Sequence, residues 1–186
     1  MDQEPRQRRL FLGIPLPEKV LFPLNDFVRP HQNLKNIRWV PADNLHITVY
    51  FFDNVPEERV ENLISLISVG LRQTRSFGLD FDRYCFAPQA KDARMIWARY
   101  RKSDAFRDLV TCIHTLYRQI APQQIRKSPV PHITLARLRD FSDHRLLNLR
   151  FNQPPQLPVN ELILWESHLR PEGAWYEVVR RFGLKD

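Results

Sequence analysis

Apolar and polar positions follow two periods along this chain, and the switch between them marks out the elements. Arg9–Pro15 (RLFLGIP), Ile37–Val40, His46–Phe52 (HITVYFF) and His132–Leu138 (HITLARL) are short, β-branched or aromatic runs expected to be strands. Two further strands are expected over Phe77–Phe86 and Arg94–Arg101, with a Pro88 turn between them, and two more over Leu162–His168 and Ala174–Phe182. Helical spacing predicts helices over Leu16–Arg29, Pro56–Arg72 and Asp104–Ile120. Pro17 suits the first turn of the first helix, and Pro30 suits its end. Pro23 lies inside it and is expected to kink or split it. Asp53-Asn54 supplies turn chemistry after the first aromatic strand. Pro122, Pro129 and Pro131 mark a loop, as do Pro154, Pro155 and Pro158. Strands and helices in this order, with no low-complexity linker, predict an α+β or mixed α/β protein.

Two of these strands open on the same pattern: His46-Ile47-Thr48-Val49 and His132-Ile133-Thr134-Leu135. Alternation along a strand puts His46 and Thr48 on one face and Ile47 and Val49 on the other, and the second copy repeats this. With six histidines and five threonines in 186 residues, about 0.16 chance His-x-Thr matches are expected, so two complete copies are not accidental.

The pattern suits the opening of a cyclic phosphodiester. A water must lose a proton on one side of phosphorus, and the departing oxygen must gain one on the other. Imidazole, with a reference pKa near ~6.5, holds either form at neutral pH, so two histidines can serve as base and acid. Threonine hydroxyls can donate to the non-bridging phosphate oxygens. Ring strain already makes a cyclic phosphate reactive, so neither a metal nor a cofactor is called for.

Charge and composition narrow the setting. The 186 residues carry a formal net charge of +7, with arginines scattered along the chain, which favours a polyanionic partner. Hydrophobic residues make up 43%, which argues against a disordered chain. No apolar run reaches the ~20 residues of a membrane span, and MDQEPRQRRL lacks the apolar core of a signal peptide. Cys85 and Cys112 have no metal-ligand spacing and are expected as buried free thiols, so a cytoplasmic location is expected.

The paired motifs, 86 residues apart, resemble the hallmark of the 2H phosphoesterase superfamily. The finer likeness is to its bacterial RNA 2′,3′-cyclic phosphodiesterase branch, historically called 2′-5′ RNA ligase. RLFLGIPLP, WVPADNLHITVYFF, PVPHITLARL and SHLRPEGAWYEVVRRFGL all resemble that family's segments. The resemblance implies one domain over residues 1–186. Its two pseudo-symmetric lobes would have antiparallel sheets facing a central groove, with helices outside. It implies hydrolysis of cyclic phosphate ends on RNA or oligonucleotides, tRNA fragments included, to 2′-phosphomonoesters. His46 is expected as proton donor and His132 as proton acceptor, with Thr48 and Thr134 on the phosphate. Arg137 matches the family's arginine five residues after the second histidine, yet strict alternation points it away unless a bulge redirects it. Phe52-Asp53 stand where the family writes leucine and glycine, which is read as a changed loop. Two alternatives stay open: joining of RNA ends by the reverse reaction, and nucleotide or RNA binding without turnover.

Other candidates are weaker. Trp97, Tyr84, Tyr50, Phe11 and Trp175 are aromatics able to stack a base, with Tyr50 on the histidine face by alternation. Asp80 and Asp82 resemble half a metal site but read better as a solvated face. The Arg99–Lys102 cluster reads as an exposed strand end.

Overall fold

The computed structural model describes residues 6–121, 130–139, 147–171 and 173–186. Pro122 and Pro129 of the expected loop lie outside these. Among these residues, ten strands and three longer helices follow one another as β1 (Gln7–Pro15), α1 (Glu18–Val28), β2 (Ile37–Trp39), β3 (His46–Pro56), α2 (Val60–Leu71), β4 (Phe77–Leu79), β5 (Phe81–Ala87), β6 (Met95–Tyr100), α3 (Asp104–Tyr117), β7 (His132–Leu138), β8 (Leu157–Val159), β9 (Glu161–Arg170) and β10 (Gly173–Gly183).

Eight strands form one sheet in the order β10-β9-β1-β3-β7-β6-β5, with β2 also on β7, while β4 and β8 pair separately. Every pairing between these strands is antiparallel. The sheet is nearly two sheets. β1 and β3 pair over nine positions, whereas β3 and β7 meet only at Ile47 and Ile133. Beyond that seam β2 takes over the edge of β7, pairing Ile37 with Leu138 and Trp39 with Ala136. β10, β9, β1 and β3 thus make one half, and β7, β6, β5 and β2 the other.

Helices cover the apolar face of both halves. α1 buries Val20, Leu24 and Phe27, one stripe at helical spacing, and the Phe27 ring stacks on Tyr84 of β5 at 4.2 Å. α3 starts where the Ser103 hydroxyl accepts from the Phe106 amide at 3.3 Å. It buries Phe106, Leu109, Ile113 and Tyr117. The Tyr117 hydroxyl donates to the carbonyl of Phe52 at 3.1 Å, tying α3 to β3.

Several expectations need correcting. Pro23 does not split α1, which runs unbroken from Glu18 to Val28; its buried stripe outweighs the one backbone bond that proline removes. Asp53-Asn54 is not a turn between elements. β3 continues to Pro56, and α2 begins only at Val60 after a short 3-10 turn. Asp53 instead takes a left-handed backbone (φ 58°) beside a break in register between Leu10 and Phe11 of β1, a β-bulge. Aspartate tolerates that conformation better than most residues. The expected Phe77–Phe86 strand is two strands that pair with different partners. Cys85 and Cys112 are free thiols but only half-buried.

Candidate active site

Both motif histidines stand beside the seam. In the register set by Ile47 and Ile133, His46 comes opposite Thr134 and Thr48 opposite His132. Both isoleucines are fully buried on the helix-covered face. Alternation therefore turns the two histidines and two threonines together onto the other face.

Each ring is fixed in the same way. His46 Nδ1 donates to the carbonyl of Asn44 at 2.7 Å, and His132 Nδ1 donates to the carbonyl of Val130 at 2.7 Å. A carbonyl only accepts, so Nδ1 carries the hydrogen, and the neutral ring presents a bare Nε2. The Thr48 hydroxyl donates to His46 Nε2 at 3.1 Å.

A second regularity lies three residues after each histidine. β1 and β3 shift register between Leu12 and Gly13, leaving Val49 as the extra residue. β6 and β7 shift between Ile96 and Trp97, leaving Leu135 as the extra residue. Each is a β-bulge at the last motif position, and each reverses the alternation beyond it. Arg137, two residues past the bulge, is thereby returned to the histidine face and lines the cavity. By the matching bulge at Val49, Tyr50 is turned away, against expectation. Its hydroxyl lies 3.0 Å from His114 Nδ1 on α3. Phe51, five residues after His46 as Arg137 is after His132, takes the groove position and is 40% exposed.

The cavity has a volume of about 980 Å³ and is lined by both histidines, both threonines, Phe51 and Arg137, large enough for a nucleotide. Its walls differ. Around His46 stand Phe11, Trp165 and Tyr176, with ring centroids at 4.8, 5.5 and 5.4 Å. Gly13 makes that closeness feasible. A side chain there would come 2.9 Å from the Ile47 carbonyl and 3.4 Å from the His46 ring. Enclosure of this kind disfavours the charged ring. Burial, helped by the nearby His132 and opposed by the Asn44 carbonyl, lowers the His46 pKa to about 4. Among the described residues His132 has one aromatic neighbour at stacking distance, Trp97 at 3.7 Å and 23°. Burial also lowers its pKa, against the bond to the Val130 carbonyl. With both values lowered, both rings are neutral at pH 7.

The remaining sequence candidates separate cleanly. Trp97 and Phe11 back the histidines, Tyr84 belongs to the core under α1, and Trp175 lines the cavity. Asp82 is ion-paired to Arg83 and Arg99, and Asp80 accepts from Gln156. Phe51, Trp165, Tyr176, Arg38 and Arg170 escaped the sequence reading. Phe51 had a signal, its offset from His46 matching that of Arg137. Trp165, Tyr176 and Arg170 come from strands remote in sequence, and Arg38 from β2, whose pairing with β7 no local spacing announces. Among the described residues Glu166, His168 and Glu177 bring three potential metal-ligand atoms within 4.8 Å. Glu166 is, however, held by the Arg8 guanidinium at 2.6 Å, and by alternation from Trp165 it points to the sheet face away from the histidines.

A family model described as the 2′-5′ RNA ligase superfamily matches residues 23–171. An RNA 2′,3′-cyclic phosphodiesterase of Escherichia coli is 33% identical, the match covering 95% of this chain and 97% of that one. Among solved structures, TT0787 of Thermus thermophilus superposes with a TM-score of 0.82 at 24% identity, covering 95% of this chain and 98% of its own. Escherichia coli LigT complexed with 3′-AMP superposes with a TM-score of 0.75 at 25% identity, over 97% and 100%. No helix among the described residues is long and apolar enough to cross a membrane.

Proposed function

The chain belongs to the 2′-5′ RNA ligase superfamily, and from that membership we propose that it hydrolyses 2′,3′-cyclic phosphate ends of RNA to 2′-phosphomonoesters. The observation that carries this is the matched pair of imidazoles. Each is pinned at Nδ1 by a backbone carbonyl and offers Nε2 to one cavity from opposite sides of the seam.

His132 acts as base and His46 as acid. His132 Nε2 takes a proton from water, whose oxygen attacks phosphorus. The bond to the ribose 3′ oxygen breaks, and that oxygen takes a proton from His46. The two residues five positions on orient the substrate. A nucleobase stacked on Phe51 places the ribose, and its 3′ oxygen, on the His46 side. Arg137, on the β7 side, grips the phosphate in reach of His132. Thr48 and Thr134 donate to the non-bridging oxygens.

A neutral His46 is not yet an acid; the substrate makes it one. A phosphate anion about 4 Å from an imidazolium, at an effective dielectric near 20, favours the charged ring by about 4 kcal/mol. That is roughly three pKa units, enough to lift a value of about 4 to near neutrality. RNA ends are the substrate class, tRNA fragments among them.

The test is the product from a cyclic-ended oligonucleotide, separated against 2′- and 3′-phosphate standards. A single 2′-phosphomonoester is expected. A clean 3′-phosphate would mean the substrate sits reversed, and a mixture would contradict a fixed acid and base.

A further inference from the structure

The chain has five tyrosines, and one of them differs from the rest in where its hydroxyl stands. Tyr84 donates to the carbonyl of Asn152 at 3.2 Å and Tyr117 to that of Phe52 at 3.1 Å. The Tyr50 hydroxyl meets His114 Nδ1 at 3.0 Å. The Tyr100 oxygen is sealed in the core. Tyr176 on β10 lines the catalytic cavity instead. Among the described residues its hydroxyl has no hydrogen-bond partner, and it is not sealed as that of Tyr100 is.

Tyr176 pairs with Ser167 of β9, two residues beyond Trp165, so alternation sets it on the face of Trp165 and the histidines. Its ring stands nearly perpendicular to His46, at 5.4 Å and 84°, and to Phe11, at 4.9 Å and 71°. These two contacts fix the ring and leave the hydroxyl as the end able to meet a ligand. Burial holds the phenol above its ordinary pKa, opposed by Arg137 and Arg9, so the oxygen keeps its proton at neutral pH and can donate. Those two guanidinium groups act on the hydroxyl from nearby, and Arg137 does so from β7, across the seam. The acceptor drawn to such a place is an anion.

From this placement we propose that Tyr176 is a further catalytic residue, whose hydroxyl donates a hydrogen bond to a non-bridging oxygen of the cyclic phosphate beside the Arg137 guanidinium. This rests on the reading of the histidine pair as the cyclic-phosphate site. An anion held by Arg137 and within reach of the His46 ring lies where the Tyr176 ring, packed against His46, presents its hydroxyl. Charge on the non-bridging oxygens changes as water adds to phosphorus, and a donor fixed in advance stabilises that change without reorganising. The same ring thus encloses the acid through its face and edge and serves the phosphate through its oxygen.

The experiment uses Tyr176→Phe, which removes the oxygen and keeps the ring against His46 and Phe11. Two quantities are compared with wild-type protein: turnover of a cyclic-ended oligonucleotide, and calorimetric binding of adenosine 2′-phosphate and of adenosine. The variant should lose about 10- to 100-fold in kcat, the worth of a hydrogen bond to a charged group. It should bind adenosine 2′-phosphate about tenfold more weakly and adenosine as wild-type protein does. Turnover and adenosine 2′-phosphate binding both within twofold of wild type would overturn the contact. An equal loss for adenosine would also overturn it, because the hydroxyl would then be reading the nucleoside. Absence of turnover by wild-type protein would remove the hydrolytic reading itself, and the binding comparison would still decide whether the hydroxyl meets the phosphate.

Discussion

Ile47 and Ile133 face each other across the seam between β3 and β7, both fully buried, and each directly follows a histidine of the site. The contact that joins the two halves of the sheet therefore also sets the spacing of the two imidazoles. Core packing and site geometry share one pair of side chains.

Truncating that pair should be costly. Ile133→Ala removes a fully buried side chain where, among the described residues, the halves have no other strand pairing. Urea denaturation should report a loss of about 2–5 kcal/mol. A loss below ~1 kcal/mol would mean the seam is held elsewhere.

The bulges at Val49 and Leu135 predict a division of labour between Phe51 and Arg137. Phe51→Ala should raise KM by about 5- to 100-fold through lost stacking, with kcat changed far less. Arg137→Ala should lower kcat by about 10- to 100-fold, since a charge-assisted bond to phosphate strengthens in the transition state. Steady-state kinetics on a cyclic-ended oligonucleotide would check both. A reversal of the two patterns would contradict the assigned walls.

Much of this was legible in the sequence, and the exceptions have physical causes. The two His-x-Thr-x strands and α3 follow from periodicity and turn chemistry, and the antiparallel architecture follows from the family resemblance. Tyr50 and Phe51 exchanged roles because a β-bulge leaves no mark on a period-two pattern. Asp53 read as a turn because the same left-handed tolerance serves a bulge. Trp165 and Tyr176 reach His46 from β9 and β10, more than a hundred residues away, and no local spacing announces a contact made by tertiary packing.

pH dependence follows from the lowered histidine pKa values. In the free protein a group whose pKa is depressed loses its proton earlier as pH rises, so the form with one ring charged is most abundant at acidic pH. The maximum of kcat/KM should therefore lie below the ordinary imidazole value of ~6.5. The bound anion raises both values, so the maximum of kcat should lie at higher pH than that of kcat/KM. Profiles of both parameters between pH 4 and 9 would show it; coincident maxima above pH 7 would contradict the burial of His46.

Chelation should leave the reaction untouched. Every step is assigned to imidazole, hydroxyl or guanidinium, and the strain of the cyclic ester supplies reactivity. Turnover with ~10 mM EDTA should match that without it. Abolition by chelator and rescue by a divalent cation would move the chemistry to carboxylates.

The central claim is that two histidines share the acid and base work, and single substitution tests it most directly. The measurement is monoester release from a cyclic-ended oligonucleotide by wild-type protein, His46→Ala and His132→Ala, each first checked for a native circular dichroism spectrum. Each variant should lose about 10²- to 10⁴-fold in kcat, and the double variant should lose less than the product of the two. A folded single variant that keeps more than about a tenth of wild-type turnover would contradict the two-histidine mechanism.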